Sequence, residues 1–251
     1  MLFQDDNGIL IAKIKDAIRF CETRRKPSFV GFLNEHQAAA SIACLKHEKV
    51  FNYKFYGGCK DSDRTMLVVY PQGNEIGGDL FPISALCFTY PKEYKLTHRD
   101  FLGALMALGL KRETIGDILT ENGKAVTFVK NEIKDYIITQ VDKIGAVRVT
   151  VTEAGNENFT KTQLFDEFSC TVASLRLDGI VAAITKQSRE KSVGLIECGL
   201  VAVNAVVVYS PSSAIKVNSK ISVRGKGKFI ISEVCGETKK GRLRLIIKEY
   251  R

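Results

Sequence analysis

The sequence predicts a mixed α+β fold in consecutive modules, and two observations support this. Apolar residues recur at helical spacing in some stretches and alternate at strand spacing in others, in mixed order along the chain. The charge is also segregated: residues 176–251 hold fifteen Lys and Arg against six Asp and Glu, whereas the charges of residues 1–175 cancel. The predicted segments are a small N-terminal α/β module (1–72), a middle module (73–155), a linker (156–172) and a basic C-terminal module (173–251).

The N-terminal module is predicted to contain two helices and two strands. Apolar residues at helical spacing begin at Leu10, and Asn34 has the side chain expected at the N-cap of a second helix. Phe51–Tyr56 and Thr65–Tyr70 are rich in aromatic and β-branched residues, which favours strands.

The middle module has the predicted order β-α-β-β-α-β, which is typical of a ferredoxin-like plait. Its segments are Ile83–Thr89, a helix capped by Thr97, Ile115–Thr120, Lys124–Val129, a helix over Asn131–Asp142, and Ala146–Thr152. RNA-recognition modules share this order and stack bases on sheet aromatics. The central strands here offer only Phe128, so the RRM-like stacking platform is expected to be weak.

The C-terminal module is predicted to begin with two short helices. Leu177, Ile180, Val181 and Ile184 form one apolar stripe, Ser188 is a good N-cap for the second helix, and Gly199 can end it. Two β-rich arms then flank Asn204, and a third strand over Lys220–Arg224 alternates apolar and polar residues. A compact basic module beside a neutral body is typical of nucleic-acid binding, and the alternative is an ordinary basic surface that aids solubility.

Over about 55 residues this module resembles the S4 RNA-binding domain. The resemblance lies in Arg176-Leu-Asp178, Ser188-Arg189 eleven residues after the Asp, Leu195-Ile-x-x-Gly199, Val201-x-Val-Asn204 and the strand end Val223-Arg-Gly225. It implies that the helix starts and the following loop bind folded RNA. The implied RNA-binding residues, with the basic turn that follows the third strand, are Arg176, Lys186, Ser188, Arg189, Lys191, Asn204, Arg224, Lys226 and Lys228. Ala205 replaces the usual turn glycine, so a turn with positive φ at both positions is expected to be disfavoured.

Nearly the whole chain resembles the YlmH family of bacterial S4-domain proteins. The stretches concerned are residues 32–35, 97–118, 224–229 and 238–242. The resemblance implies a non-enzymatic factor that binds rRNA of the large ribosomal subunit, and peptidyl-tRNA with it, in ribosome-associated quality control. It also offers a candidate second RNA surface at His98, Arg99, Lys111 and Arg112. The alternative for His98 and Arg99 is that they simply cover a helix start.

Other classes of protein are disfavoured by the sequence. An S4-domain pseudouridine synthase or methyltransferase is the enzymatic alternative, but Arg244 stands where a synthase motif needs Asp, and residues 73–155 lack the order of a methyltransferase domain. The seven cysteines show neither disulfide nor zinc spacing, so buried reduced thiols, no metal and no cofactor are expected. No apolar run suits a membrane helix, and acidic Asp5 and Asp6 argue against a signal peptide, so we expect a cytoplasmic monomer.

Overall fold

The computed structural model describes residues 4–73, 76–155, 159, 161 and 165–250. The chain divides into two compact units, Met1–Lys161 and Thr162–Arg251. Both units combine helices with antiparallel sheets, which confirms the predicted α+β class. Among the described residues, no helix has the length and apolar character needed to cross a bilayer.

The first part of unit 1 is a three-stranded sheet covered by two helices. Its elements are α1 (Gln4–Arg24), β1 (Ser28–Leu33), α2 (Glu35–His47), β2 (Tyr53–Tyr56) and β3 (Thr65–Val69), and the strand order is β1-β3-β2. Asn34 caps α2 as predicted, because its Oδ1 accepts the Gln37 N–H at 2.9 Å and the Gln37 side chain accepts the Asn34 N–H. Strand β1 was not predicted.

The second part of unit 1 has the predicted order of elements up to its second helix, after which three short strands replace the single strand predicted over Ala146–Thr152. Its elements are β4 (Ile83–Thr89), α3 (His98–Ala107), β5 (Ile115–Glu121), β6 (Lys124–Lys130), α4 (Asn131–Gln140), the short strands β7 (Lys143–Ile144) and β8 (Val147–Arg148), and β9 (Thr150–Glu153). Strands β4, β5, β6 and β9 form an antiparallel sheet in the order β5-β6-β4-β9. Single 3₁₀ turns lie at Gly78–Leu80 and Arg112–Thr114. Helices α3 and α4 cover one face of this sheet, where Phe101, Leu105 and Ile137 are fully buried.

The two sheets of unit 1 share one core. The face of the second sheet opposite α3 and α4 packs against the first sheet through Phe32, Met66, Val68 and Phe128. The other face of β3 packs under α1 and α2. Because both faces of β3 are covered, Met66, Leu67, Val68 and Val69 are all buried, and the strand is apolar after its first residue, Thr65. The predicted boundary at residue 72 therefore separates two segments of chain that are packed together.

Unit 2 contains a six-stranded antiparallel sheet and two helices. Its elements are β10 (Phe165–Val172), α5 (Leu177–Thr185), α6 (Arg189–Glu197), β11 (Val201–Val203), β12 (Val206–Val207), β13 (Lys220–Val223), β14 (Gly227–Glu237) and β15 (Leu243–Tyr250). The strand order is β10-β15-β14-β13-β11-β12.

The predicted linker 156–172 differs from the structure at its end. Phe165–Val172 is the strand β10, which pairs along its whole length with β15. Its partly buried side chains, including Phe168 and Cys170, pack at the edge of the unit 2 core. Residues 156–158, 160 and 162–164 of the predicted linker lie outside the described residues. The sequence pattern predicts closing strands over Phe229–Ile231 and Leu243–Ile247, and the observed β14 and β15 are longer.

The seven cysteines are free thiols, as predicted. Cys21 and Cys59 are buried, but Cys198 and Cys235 are exposed, so the expectation of burial is wrong for the last two. Cys198 lies just after the end of α6, and Cys235 lies in strand β14. Neither is covered by a neighbouring element. Within the described ranges, no group of three or more His, Cys, Asp or Glu could hold a metal ion.

The turn between β11 and β12 differs from expectation. Asn204 has φ 49° and Ala205 has φ 65°, so both residues adopt the left-handed conformation that the sequence was expected to disfavour. A two-residue hairpin needs this geometry to match the twist of its strands. The antiparallel pairing of Val203 with Val206 fixes the loop at two residues. Ala205 is therefore held in the left-handed backbone conformation despite its Cβ.

Ala205→Gly should therefore stabilise unit 2 by about 0.5–1 kcal/mol. Removing Cβ relieves ~1–2 kcal/mol of left-handed strain, and the larger entropy of glycine in the unfolded chain offsets part of this gain. Amide hydrogen exchange of unit 2 in the full chain would measure the effect, because one unfolding curve would mix the two compact units. Ala202→Gly is the matched control, because Ala202 lies in strand β11 and its replacement should destabilise the protein. Lower protection of unit 2 in Ala205→Gly would contradict this expectation.

Candidate nucleic-acid interface

Two of the predicted RNA-binding arginines meet at one buried carboxylate. Asp178, in the first turn of α5, has a side chain only 3% exposed. Arg189, the first residue of α6, donates to Asp178 Oδ2 from Nε at 3.0 Å and from Nη2 at 2.7 Å. Arg176, just before α5, donates to the two carboxylate oxygens at 3.3 and 3.2 Å.

This arrangement leaves net positive charge on the surface. One carboxylate cannot neutralise two guanidinium groups, and the side chains of Arg176 and Arg189 are 46% and 62% exposed. Asp178 therefore fixes the positions of both arginines while each keeps much of its surface in solvent. We refer to Arg176, Asp178 and Arg189 as the arginine clamp.

The protonation of Asp178 follows from its hydrogen bonds. Burial alone would raise the pKa of this carboxyl, but the bonds donated by Arg176 and Arg189 outweigh burial and lower the pKa below its usual value. The Gly179 N–H adds a further donor at 2.8 Å. Asp178 is thus ionised at neutral pH, as the clamp requires. The sequence alone does not reveal this role of Asp178, because a carboxylate in a first helical turn is more often an exposed partner of the helix dipole.

The turn between α5 and α6 presents two lysines. Lys186 ends α5 in the left-handed conformation, with φ 54°, and Lys191 lies in the first turn of α6. Both side chains are exposed. Ser188 is the predicted N-cap, and its Oγ accepts the Lys191 N–H at 3.3 Å. The Ser188 hydroxyl accepts this one bond from the helix, so its proton and its second lone pair can still serve a ligand.

Asn204 is held by the neighbouring strand. Its Oδ1 accepts the Lys220 N–H at 2.9 Å, and its own N–H donates to the Lys220 carbonyl at 2.8 Å. The residue is exposed, but its side-chain carbonyl is already hydrogen-bonded to Lys220, the first residue of β13.

The remaining predicted cations lie at the other end of β13. Arg224 and Lys226 are exposed on the tight turn into β14, where the Arg224 N–H donates to the Leu200 carbonyl at 2.9 Å, and Lys228 is exposed as the second residue of β14. Arg224 and Lys228 line an open groove of about 390 Å³ beside Gly199, just after α6. Since Arg189 begins α6, the nine residues of this helix, roughly 13 Å, lie between the clamp and the groove. The nine predicted residues thus form separate groups on unit 2.

The candidate second surface in unit 1 is divided in the same way. His98 and Arg99 begin α3 and are exposed, and the preceding Thr97 caps the helix with Asp100. Desolvation, followed by the cations Arg112 and Lys161, lowers the pKa of His98 against the opposing effect of Asp117. His98 is therefore neutral at physiological pH and can offer hydrogen bonds rather than charge.

Arg112 is engaged within the protein, in contrast to exposed Lys111. Its Nη1 donates to the carbonyls of Ile115 and Gly116 at 2.6 and 3.3 Å. Its own carbonyl accepts from the half-buried Arg64, whose pKa is lowered to about 10, chiefly by burial. Arg112 therefore supports the junction of the two sheets as well as adding local positive charge.

The sheet face of the middle segment is closed to bases. Phe128 is 1% exposed and packs against Phe32, Phe159 and the backbone of Gly58. A Cβ at Gly58 would lie 2.3 Å from the Phe128 ring, so the approach of this loop requires glycine. Any RNA contact by the middle segment must use its helix starts or its loops.

Comparison with known proteins identifies what the chain is similar to. Residues 78–158 match the family model described as "Putative RNA-binding domain in YlmH". The "Ribosome-associated protein quality control protein P2" of Bacillus subtilis is 27% identical over 254 residues, which cover 99% of this chain and 97% of that protein. The resemblance to the YlmH family is confirmed. The solved structure of "Cell division protein ylmH from Streptococcus pneumoniae" shares the fold, with a TM-score of 0.52 and 23% identity over 62% of this chain and 94% of that one.

Proposed function

We propose that this chain is a non-enzymatic RNA-binding factor that acts on the ribosome in quality control of stalled translation. The arginine clamp is the observation that carries the proposal. A buried carboxylate that fixes two half-exposed guanidinium groups, with the exposed Lys186 and Lys191 within three residues of Arg189 along the chain, makes a preorganised surface for phosphate. The name of the Bacillus subtilis relative and the matched RNA-binding domain support the ribosome as the partner.

Unit 2 is proposed to act as an S4-type RNA-binding module. Two short helices, a hairpin and a strand ending at a basic turn follow one another in the order that the S4 resemblance implies. A rigid cationic surface of this kind recognises the shape and phosphates of folded RNA rather than its base sequence. We propose rRNA of the large subunit as the primary target, with peptidyl-tRNA as a neighbouring contact and the cytoplasm as the place of action.

Unit 1 is proposed to add a second, weaker contact. The exposed residues His98, Arg99 and Lys111 are its candidates, with Arg112 contributing local charge. The closed face around Phe128 excludes the base-stacking mode of an RNA-recognition module on that sheet. The second surface would therefore bind phosphate and sugar groups from the helix side of the sheet.

Salt dependence tests the proposed function directly. If the four cations around the clamp neutralise phosphates, the binding constant for purified large ribosomal subunits should fall with rising KCl, with a log–log slope of about −3. Co-sedimentation of the full chain at several KCl concentrations measures this slope. An affinity that does not change with salt would rule out a phosphate-directed interface. Crosslinking in cells, followed by sequencing of the attached RNA, would then identify the helix that is bound.

A further inference from the structure

Tyr209 is an exposed aromatic residue held in place beside the groove of unit 2. It follows β12, and its side chain is 65% exposed. The ring packs on the backbone of Gly199, where a Cβ would lie 3.0 Å from Tyr209 Cε1 and 3.3 Å from its hydroxyl. Gly199 also has φ 69°, so both its conformation and its lack of a side chain allow this contact. One part of the ring is fixed and the rest faces solvent.

The groove itself is shallow and lined by small residues. One side is formed by residues 199–202. The other side is formed by Ser222, Val223 and the residues that follow them, Arg224, Gly225, Gly227 and Lys228. Strand β11 lies between β12 and β13, so two strand spacings, about 10 Å, separate the strand before Tyr209 from the strand before Arg224. Arg224 and Lys228 line the far wall, and the carboxylate of Glu249 lies near Gly227.

This combination matches the chemistry of an unpaired nucleotide. An aromatic ring offers a stacking surface to a base, and the cations across the groove offer charge to the phosphate backbone. A base inside a duplex has both faces covered by its neighbours, so away from a duplex end only an unpaired base can stack on Tyr209. A single exposed apolar residue needs no explanation by itself. Here, however, the ring packs on Gly199, and the groove beside it is lined by Arg224 and Lys228.

We propose that the groove binds one unpaired nucleotide of the target RNA, with its base stacked on Tyr209 and its phosphate backbone directed to Arg224 and Lys228. This inference rests on the proposed function of unit 2 and extends it from folded shape to a single-stranded element, such as a bulge or loop. It places the nucleotide site beyond the C-terminal end of α6, away from the arginine clamp.

A tryptophan reporter tests the stacking contact. The chain contains no Trp, so Tyr209→Trp introduces the only tryptophan of the chain at the proposed site. Titration with a 12-nucleotide oligoadenylate should quench its fluorescence, because a stacked base contacts the indole directly, whereas a 12-base-pair RNA duplex should quench it much less. The matched control is Tyr136→Trp. Tyr136 lies on α4 and is 45% exposed, and the variant should show no quenching.

Affinity measurements complete the test. Tyr209→Ala should weaken binding of the oligoadenylate about tenfold, and Tyr209→Phe should retain it, because the ring rather than the hydroxyl makes the contact. Melting curves of both variants should match that of the native chain. Oligoadenylate that binds without quenching, that fails to bind, or that binds Tyr209→Ala as tightly as the native chain would overturn the inference. Co-sedimentation with ribosomal subunits reports on the proposed function separately, since the clamp is intact in these variants.

Discussion

Reversing Lys186 and Lys191 together to Glu should weaken binding to the large ribosomal subunit about a hundredfold without loss of stability. Both side chains are exposed on the turn that joins α5 and α6. Each reversal removes a phosphate contact and adds repulsion, so the salt slope should also become shallower by about 2. Co-sedimentation across a KCl series measures both quantities.

Stability should change little because the two substitutions have opposite local effects. Lys191 lies three residues after the N-cap Ser188, where Glu completes a capping box and favours the helix dipole. Lys186 is the C-cap of α5, where Glu is less favourable than Lys by about 0.3–1 kcal/mol and offsets that gain. The matched control is Lys46→Glu with Lys49→Glu, which makes the same charge change at exposed positions near the end of α2. Equal loss of binding in both double variants would show that net charge alone, rather than this turn, is responsible.

The secondary structure was largely predictable where the signals are local. Thr97 with Asp100 marks the start of α3, and Asn122-Gly123 marks the turn between β5 and β6, so the order of the middle segment follows from sequence. Strand β1 has no such signal. Its sequence Ser28–Leu33 does not alternate, because parts of both of its faces are covered, and Gly31 within it lies too close to the Glu113 carbonyl for a Cβ.

Contacts between distant segments could not be predicted in the same way. The burial of Phe128 depends on the first sheet of unit 1, whose strands lie 60 to 100 residues earlier in the chain. The sequence shows Asp178 eleven residues before Arg189, but not that the carboxylate is buried between two arginines. The exposure of Tyr209 likewise depends on how the chain returns past Gly199. Residue types identified the cations of the candidate site, and only the packing shows which of them are held together.

The arginine clamp makes a second strong prediction, for stability rather than binding. Replacing Arg176 and Arg189 together by Ala leaves Asp178 buried and without its two charged partners. Removing the partners of a fully buried charge costs ~3–5 kcal/mol. Because both guanidinium groups are about half in solvent, we expect a smaller loss of about 2–3 kcal/mol from unit 2.

Amide hydrogen exchange of α5 and α6 in the full chain is the suitable measurement. It reports the opening free energy of these helices individually, whereas a single melting curve would mix the two compact units. The triple variant that also carries Asp178→Asn is the control. It removes the buried charge, so it should recover part of the protection lost in the double variant. A double variant with native protection would show that Asp178 does not need its arginines.

The contribution of Asp178 to the stability of unit 2 should depend on pH in opposite directions in the native chain and in this double variant. In the native chain the folded pKa of Asp178 is lowered, so its contribution is complete above the unfolded pKa of about 3.9 and is lost as the pH falls below it. Without the arginines, burial is the largest remaining influence and should raise the folded pKa above the unfolded value. The deficit of the variant should then be greatest at neutral pH and should shrink as the pH falls through the raised folded pKa. Hydrogen exchange at pH 7 and pH 4 should therefore show the two proteins converging in acid, and a deficit of constant size would mean that Asp178 is not the group responsible.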